Sequence, residues 1–138
     1  MTRVKCELSR ILIIDDQQLY MVELRELDGE RRLEMQIGFL EIMTIQRNID
    51  GITLPRPLTH DLMVNMLKKL SLKIVEVCVT DICVSGNNEG TFYGEIVVED
   101  VHGNRFTLDS RPSDAIALST RFMSPIYVSE RVFTKLGL

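Results

Sequence analysis

"DSRPSDAIAL" (residues 109–118) is the junction on which the fold turns. Strand-like residues lead into it and an apolar helical run leaves it. Pro112 suits the first position of a helix, where its missing N–H costs nothing and its φ is already helical. Two residues later, Asp114 can accept from free N–H groups of the first turn and stands at the positive helix end. Capping therefore accounts for Pro112, Ser113 and Asp114. It does not require Arg111, nor the similar Arg56, Pro57 and Asp61 of "RPLTHDL" (56–62).

Upstream of the junction, residues 72–83, 91–100 and 104–109 read as three strands joined by "SGNNEG" and "VHG", which are rich in residues tolerant of positive φ. Downstream, "SPIYVS" reads as a turn and short strand, and "ERVFTKLG" as a last helix capped by Ser129. The first half has the same order. Residues 3–14, 19–27 and 31–37 form a predicted antiparallel meander with turns at "DDQQ" and Asp28-Gly29. Three strands and then helices in each half is the pattern that an ancient duplication would leave.

Two helices are expected between the meanders. "FLEIMTIQRNID" (39–50) ends at Gly51, a favourable residue just past a helix end. Its apolar residues Phe39, Leu40, Ile42, Met43, Ile45 and Ile49 cover more than one stripe, which calls for deep burial or cover by another subunit. In "LPRPLTHD" (54–61) the prolines hold Leu54 and Arg56 extended, and Thr59 is the expected N-cap of the next helix. Leu62, Met63, Met66, Leu67 and Leu70 then form an apolar face, read as core packing rather than a cofactor box.

With 138 residues, 45% of them hydrophobic, the chain can bury one core and is too short for two ordinary domains. Charged residues make up 26% and the net charge is −4, a balance that excludes a disordered chain. No run is long and apolar enough to span a membrane, and "MTRVKCELSR" lacks a secretory apolar region, so a cytoplasmic location and no membrane partner are expected. Cys6, Cys78 and Cys83 form no zinc-like spacing and read as buried thiols. A pI near 5.2 argues against a sequence-independent nucleic-acid coat, because such binding needs a basic surface.

"RPLTHDL", "GTFYGEIVVED" (90–100), "DSRPSDAIAL" and "PIYVSERV" (125–132), taken together and in order, resemble the bifunctional nuclease family. "LEMQIG" (33–38) with Glu41 is similar to the family segment entering its first helix, although bulky Phe39 and Leu40 stand where a proline or small residue is common. The resemblance implies an α+β domain with helices packed on a curved, mainly antiparallel sheet, which the segments above fill as two three-stranded meanders plus a short strand with about four helices, all in one domain. It also implies nuclease activity on DNA and RNA and self-association, expected as a homodimer.

Phosphodiester hydrolysis needs an activated water, cations or donors for the anionic phosphorus centre, and a proton or metal for the leaving oxygen. Arg56 and Arg111 could grip phosphate oxygens as guanidinium forks, with Ser113 and helix N-termini adding donors. Asp61 and Asp114, with Glu41, could hold Mg²⁺ or Mn²⁺ through oxygen. His60 is the candidate acid or base, since His102 falls in a hairpin turn. No motif calls for an organic cofactor. Against these roles stand plainer ones: caps for the aspartates, ion pairs to them for the arginines, and a surface position for His60. The rival to a nuclease is a non-enzymatic homo-oligomeric module that binds a protein partner or a small anionic ligand.

Overall fold

The computed structural model describes residues 2–138. Strands β1 (Arg3–Ile14), β2 (Leu19–Glu26) and β3 (Arg32–Gln36) make the first meander, with a 3₁₀ turn at Asp15–Gln17. Helices α1 (Phe39–Asp50) and α2 (Thr59–Lys69) follow. Strands β4 (Lys73–Ile82), β5 (Phe92–Glu99) and β6 (Arg105–Ser110) make the second meander, succeeded by α3 (Pro112–Phe122), β7 (Ile126–Ser129) and α4 (Glu130–Lys135).

Among the described residues all the strands belong to one seven-stranded sheet in the order β3-β2-β1-β7-β4-β5-β6. The short strand thus joins the two meanders. It runs antiparallel to β1, with Val4 opposite Val128, and parallel to β4, with Val77 opposite Ile126. Every other pairing is antiparallel, and bulges in β1 and β4 break their registers. The expected α+β architecture is the one observed.

The core follows from strand alternation. In β3 the burial runs exposed, buried, exposed, buried, exposed, so Leu33 and Met35 face inward while Arg32, Glu34 and Gln36 face out. Leu24, Val79, Val98, Ile116, Leu118 and Phe133 join them. Gly94 lets β5 pass beneath the start of α3: a Cβ there would meet the Pro112 nitrogen and the Ser110 carbonyl oxygen at 3.1 Å. Cys6 and Cys78 are buried as expected, and burial pushes the Cys6 thiol up to about 12. Cys83 is only half-buried.

Three local expectations are corrected. At α2, Leu58 occupies the N-cap position and its N–H donates to the Asp61 carboxylate at 3.0 Å, so Asp61 closes the turn in place of Thr59. At α4, the Ser129 hydroxyl makes no cap bond and lies 3.7 Å from the Cys78 sulfur instead. At α3, Asp114 caps nothing, because side chains of other residues claim both of its oxygens.

The apolar stripe of α2 is also not core. Leu62, Met63, Met66 and Leu70 are exposed, while His60 and Val64 are buried and Leu67 packs partly against the core. His60, Val64 and Leu67 lie at helical spacing on a narrower edge, and α2 turns that edge inward because it sits at the border of the helical layer against α3. On α1, Ile42 and Ile45 are buried whereas Phe39, Leu40 and Ile49 are exposed, so deep burial of the whole helix does not occur.

Single substitutions on the two faces of α2 separate these readings. Val64→Ala should cost about 2 kcal/mol of stability through lost methyl burial and a residual cavity. Met66→Gln should cost less than about 0.5 kcal/mol. Urea unfolding midpoints measure both.

Candidate active site

The site begins where β6 becomes α3. Arg111 takes the N-cap position with extended backbone, and Pro112 opens the helix. The first turn of α3 then carries Asp114 toward α2, where Asp114 Oδ1 lies 2.8 Å from His60 Nε2. Its other oxygen, Oδ2, accepts from Arg111 Nε at 3.0 Å. Arg111 Nη2 donates to Glu41 Oε1 on α1 at 2.6 Å. Glu41 can lie against the start of its own helix because residue 38 is glycine; a Cβ there would come within 2.4 Å of Glu41 Oε2. On the far side of the imidazole, His60 Nδ1 lies 3.3 Å from Thr44 Oγ1, whose hydroxyl also donates to the Leu40 carbonyl at 3.0 Å.

Glu41, Arg111, Asp114, His60 and Thr44 thus form one continuous polar chain across three helices. They line a cleft of about 660 Å³ whose rim includes the apolar side chains of Phe39, Leu40, Leu58 and Met63. Glu41, Thr44 and His60 are buried, while the Arg111 side chain is 69% exposed and meets solvent at the mouth. Hydrogen bonding to Asp114, with further attraction from Glu41, raises the Arg111 pKa above its already high ordinary value. Both ring nitrogens of His60 are engaged, which fixes the ring's orientation.

Asp61 belongs to a separate cluster. It accepts from Arg121 Nη1 at 2.8 Å and from the Leu58 N–H, with Arg47 at 3.9 Å. Burial disfavours its carboxylate, yet the Leu58 N–H and the Arg121 and Arg47 guanidiniums outweigh that and hold its pKa below the ordinary value. Arg56 is exposed and forms no ion pair among the described residues. Ser113 is buried beside an adjoining cleft of about 480 Å³ that Arg111 and Gly38 also line.

The carboxylates expected to hold Mg²⁺ or Mn²⁺ do not converge. Asp61 is turned to Arg121 and the α2 cap, whereas Glu41 and Asp114 meet at Arg111, whose guanidinium stands where a cation shared by them would sit. Among the described residues no three His, Cys, Asp or Glu side chains form a metal-holding group. The side chains present therefore do not fit a preformed divalent site. Thr44, Arg47 and Arg121 are partners that sequence reasoning missed. The available signal was spacing: Thr44 lies one helical turn after Glu41, and Arg121 two turns after Asp114.

A family model described as the bifunctional nuclease domain matches residues 22–138, which include every candidate site residue. Two uncharacterized proteins of Mycobacterium tuberculosis, from two strains, are each 36% identical over 115 residues, a match covering 83% of this chain. The chain spans 65% of the length of these curated relatives.

The Asp61 cluster predicts an acid-side dependence of stability. A carboxyl whose folded pKa lies below its unfolded value stabilises the fold at neutral pH, and that contribution fades as pH falls below about 4. Asp61→Asn should therefore be less stable than wild type at pH 7, with the difference shrinking as the solution is acidified. Thermal unfolding midpoints of both proteins across pH 7 to 3 give the measurement.

Proposed function

The chain belongs to the bifunctional nuclease domain family, and on that premise we propose that it hydrolyses phosphodiester bonds of DNA and RNA in the cleft between α1, α2 and α3. Arg111 carries this reading. Glu41 and Asp114 hold one edge of its guanidinium while the side chain stays open to the cleft mouth. A guanidinium has five N–H donors, and those not engaged by the carboxylates are free to take phosphate oxygens. Because Arg111 is already positioned, phosphate binding does not have to order a long flexible side chain.

Proton transfer falls to the pair beside it. Both ring nitrogens of His60 are already engaged, so the ring holds Asp114 in place, and Asp114, whose oxygens each keep a further lone pair, accepts the proton of an attacking water and passes it to the leaving oxygen. Arg111 acts as the fixed cation in this scheme, and no step requires a metal. A divalent ion could enter only by drawing Glu41 or Asp114 away from Arg111. Two carboxylates beside one guanidinium also oppose an approaching phosphate, so turnover should be slow and binding weak and salt-sensitive.

One observation favours a second reading. Phe39, Leu40, Leu58 and Met63 leave the rim of the same cleft apolar and exposed, and Leu62, Met66 and Leu70 continue that surface along α2. A non-enzymatic module would use such a rim to bind a protein partner or to seat a small anionic ligand against Arg111.

Cleavage of single- and double-stranded DNA and RNA separates the readings, assayed with Mg²⁺, with Mn²⁺ and with a chelator. Wild type should cut, and Arg111→Gln and His60→Gln should each lower the rate at least about tenfold while keeping the native circular dichroism spectrum. Arg56→Gln should leave the rate nearly unchanged. Equal cutting by all variants would remove the activity from this cleft. No cutting by wild type, together with Arg111-dependent binding of phosphate esters, would support the second reading.

A further inference from the structure

Strand β6 closes one side of the sheet, and its outer edge carries no partner strand among the described residues. Residues 105–109 are all exposed, including Phe106 at 51% and Leu108 at 50%. The strand has no proline and no bulge, so nothing in it blocks further pairing. Phe106 and Leu108 stand opposite buried Val98 and Ile96 on β5, which puts them on the helix-covered face and beyond its cover. The opposite face is charged. Arg105 stands opposite Glu99 and is 3.5 Å from it, whereas Asp109 stands opposite Glu95, two like charges with no ion-pair partner among the described residues.

The backbone pattern shows which groups face outward. The Asp100 N–H donates to the Asn104 carbonyl at the hairpin, so bonding to β5 continues at alternate residues, through Phe106, Leu108 and Ser110. The N–H and C=O groups of Arg105, Thr107 and Asp109 therefore point to the open edge.

We propose that this edge pairs with β6 of a second copy of the chain, antiparallel and centred on Thr107, to make one sheet continuous across a two-fold axis. In that register Thr107 meets Thr107, Arg105 of each copy meets Asp109 of the other, and Phe106 of each meets Leu108 of the other. The outward-facing backbone groups coincide with the hydrogen-bonded positions of the new ladder. The apolar pairs fall at the non-bonded positions, where side chains approach most closely. The unpartnered Asp109 carboxylate gains a cation, and two half-exposed apolar side chains per copy gain cover. Moving the register by two residues either way loses both the charge pairs and the Phe106–Leu108 pairs, since Phe106 would face Phe106 or Leu108 would face Leu108. The inference stands apart from the proposed hydrolysis, because its test reads mass rather than cleavage.

Sedimentation equilibrium tests it at concentrations from about 1 to 100 µM, a range suited to a standard self-associating interface. Wild type should approach twice the 15.8 kDa mass of the chain. Thr107→Pro removes an outward N–H without touching a bond to β5 and should leave a monomer. Asp109→Arg should raise the dissociation constant at least about tenfold, because two attractive pairs become repulsive. Combining Arg105→Asp with Asp109→Arg should restore association, an outcome that a merely structural defect would not give. A monomeric wild type overturns the proposal. So does a dimer indifferent to Thr107→Pro and Asp109→Arg, which would move the interface elsewhere, with the apolar rim of α1 and α2 the surface then implicated.

Discussion

The structure depends on the pairing of β7 with two strands at once. Ile126–Ser129 is antiparallel to β1 on one side and parallel to β4 on the other, so four residues turn two meanders into one sheet. Ile126, Val128 and Ser129 are buried there, which leaves no room for a register slip that would reverse the faces. With the sheet joined, α3 lies across β4 and β5 and brings its first turn to α1 and α2. The polar chain from Glu41 to Thr44 exists only because that helix arrives in that place.

The site shows a recurrent economy of helix starts. Arg111, Asp114, Glu41 and His60 all lie within a residue or two of the beginning of a helix, where backbone N–H groups are unpaired and side chains project sideways. Two glycines make the convergence sterically feasible. Gly94 lets β5 run under Pro112, and Gly38 leaves room for Glu41. Neither touches a reacting group, yet a methyl at either would disturb the position of Arg111 or its partner. The Asp61 cluster, bound to Arg121 and Arg47, fastens α2 to its neighbours without entering the cleft.

Much of this was legible in the sequence, and the failures have physical causes. Period-two alternation and glycine-rich turns located the strands, and the Arg-Pro junctions located two helix starts, because those signals are local. That Arg111, Asp114, Glu41 and His60 meet was expected only as part of a wider group, since tertiary proximity leaves no mark in spacing along one chain. Asp61 and Arg56 hold positions at the start of α2 like those of Asp114 and Arg111 at the start of α3, a likeness along the chain that carries no information about contact. The structure places Asp61 in another cluster and leaves Arg56 in solvent. The Met-rich stripe of α2 misled for a similar reason. Hydrophobic periodicity reports that a face prefers to be covered, not what covers it, and here the narrower edge of His60, Val64 and Leu67 won the core.

The central position of β7 also bears on how the chain reaches this state. Its partners are made at widely separated times: Arg3 of β1 pairs with Ser129, one of the last strand residues synthesised. Each meander is built from neighbouring segments and can form early by local hairpin closure, whereas the join must wait for a long-range contact that closes a loop of most of the chain. Until then both meanders expose, at the edges β7 will fill, backbone groups able to pair wrongly. Folding speed and resistance to aggregation should therefore be set less by the hairpins than by how quickly one four-residue strand finds its slot.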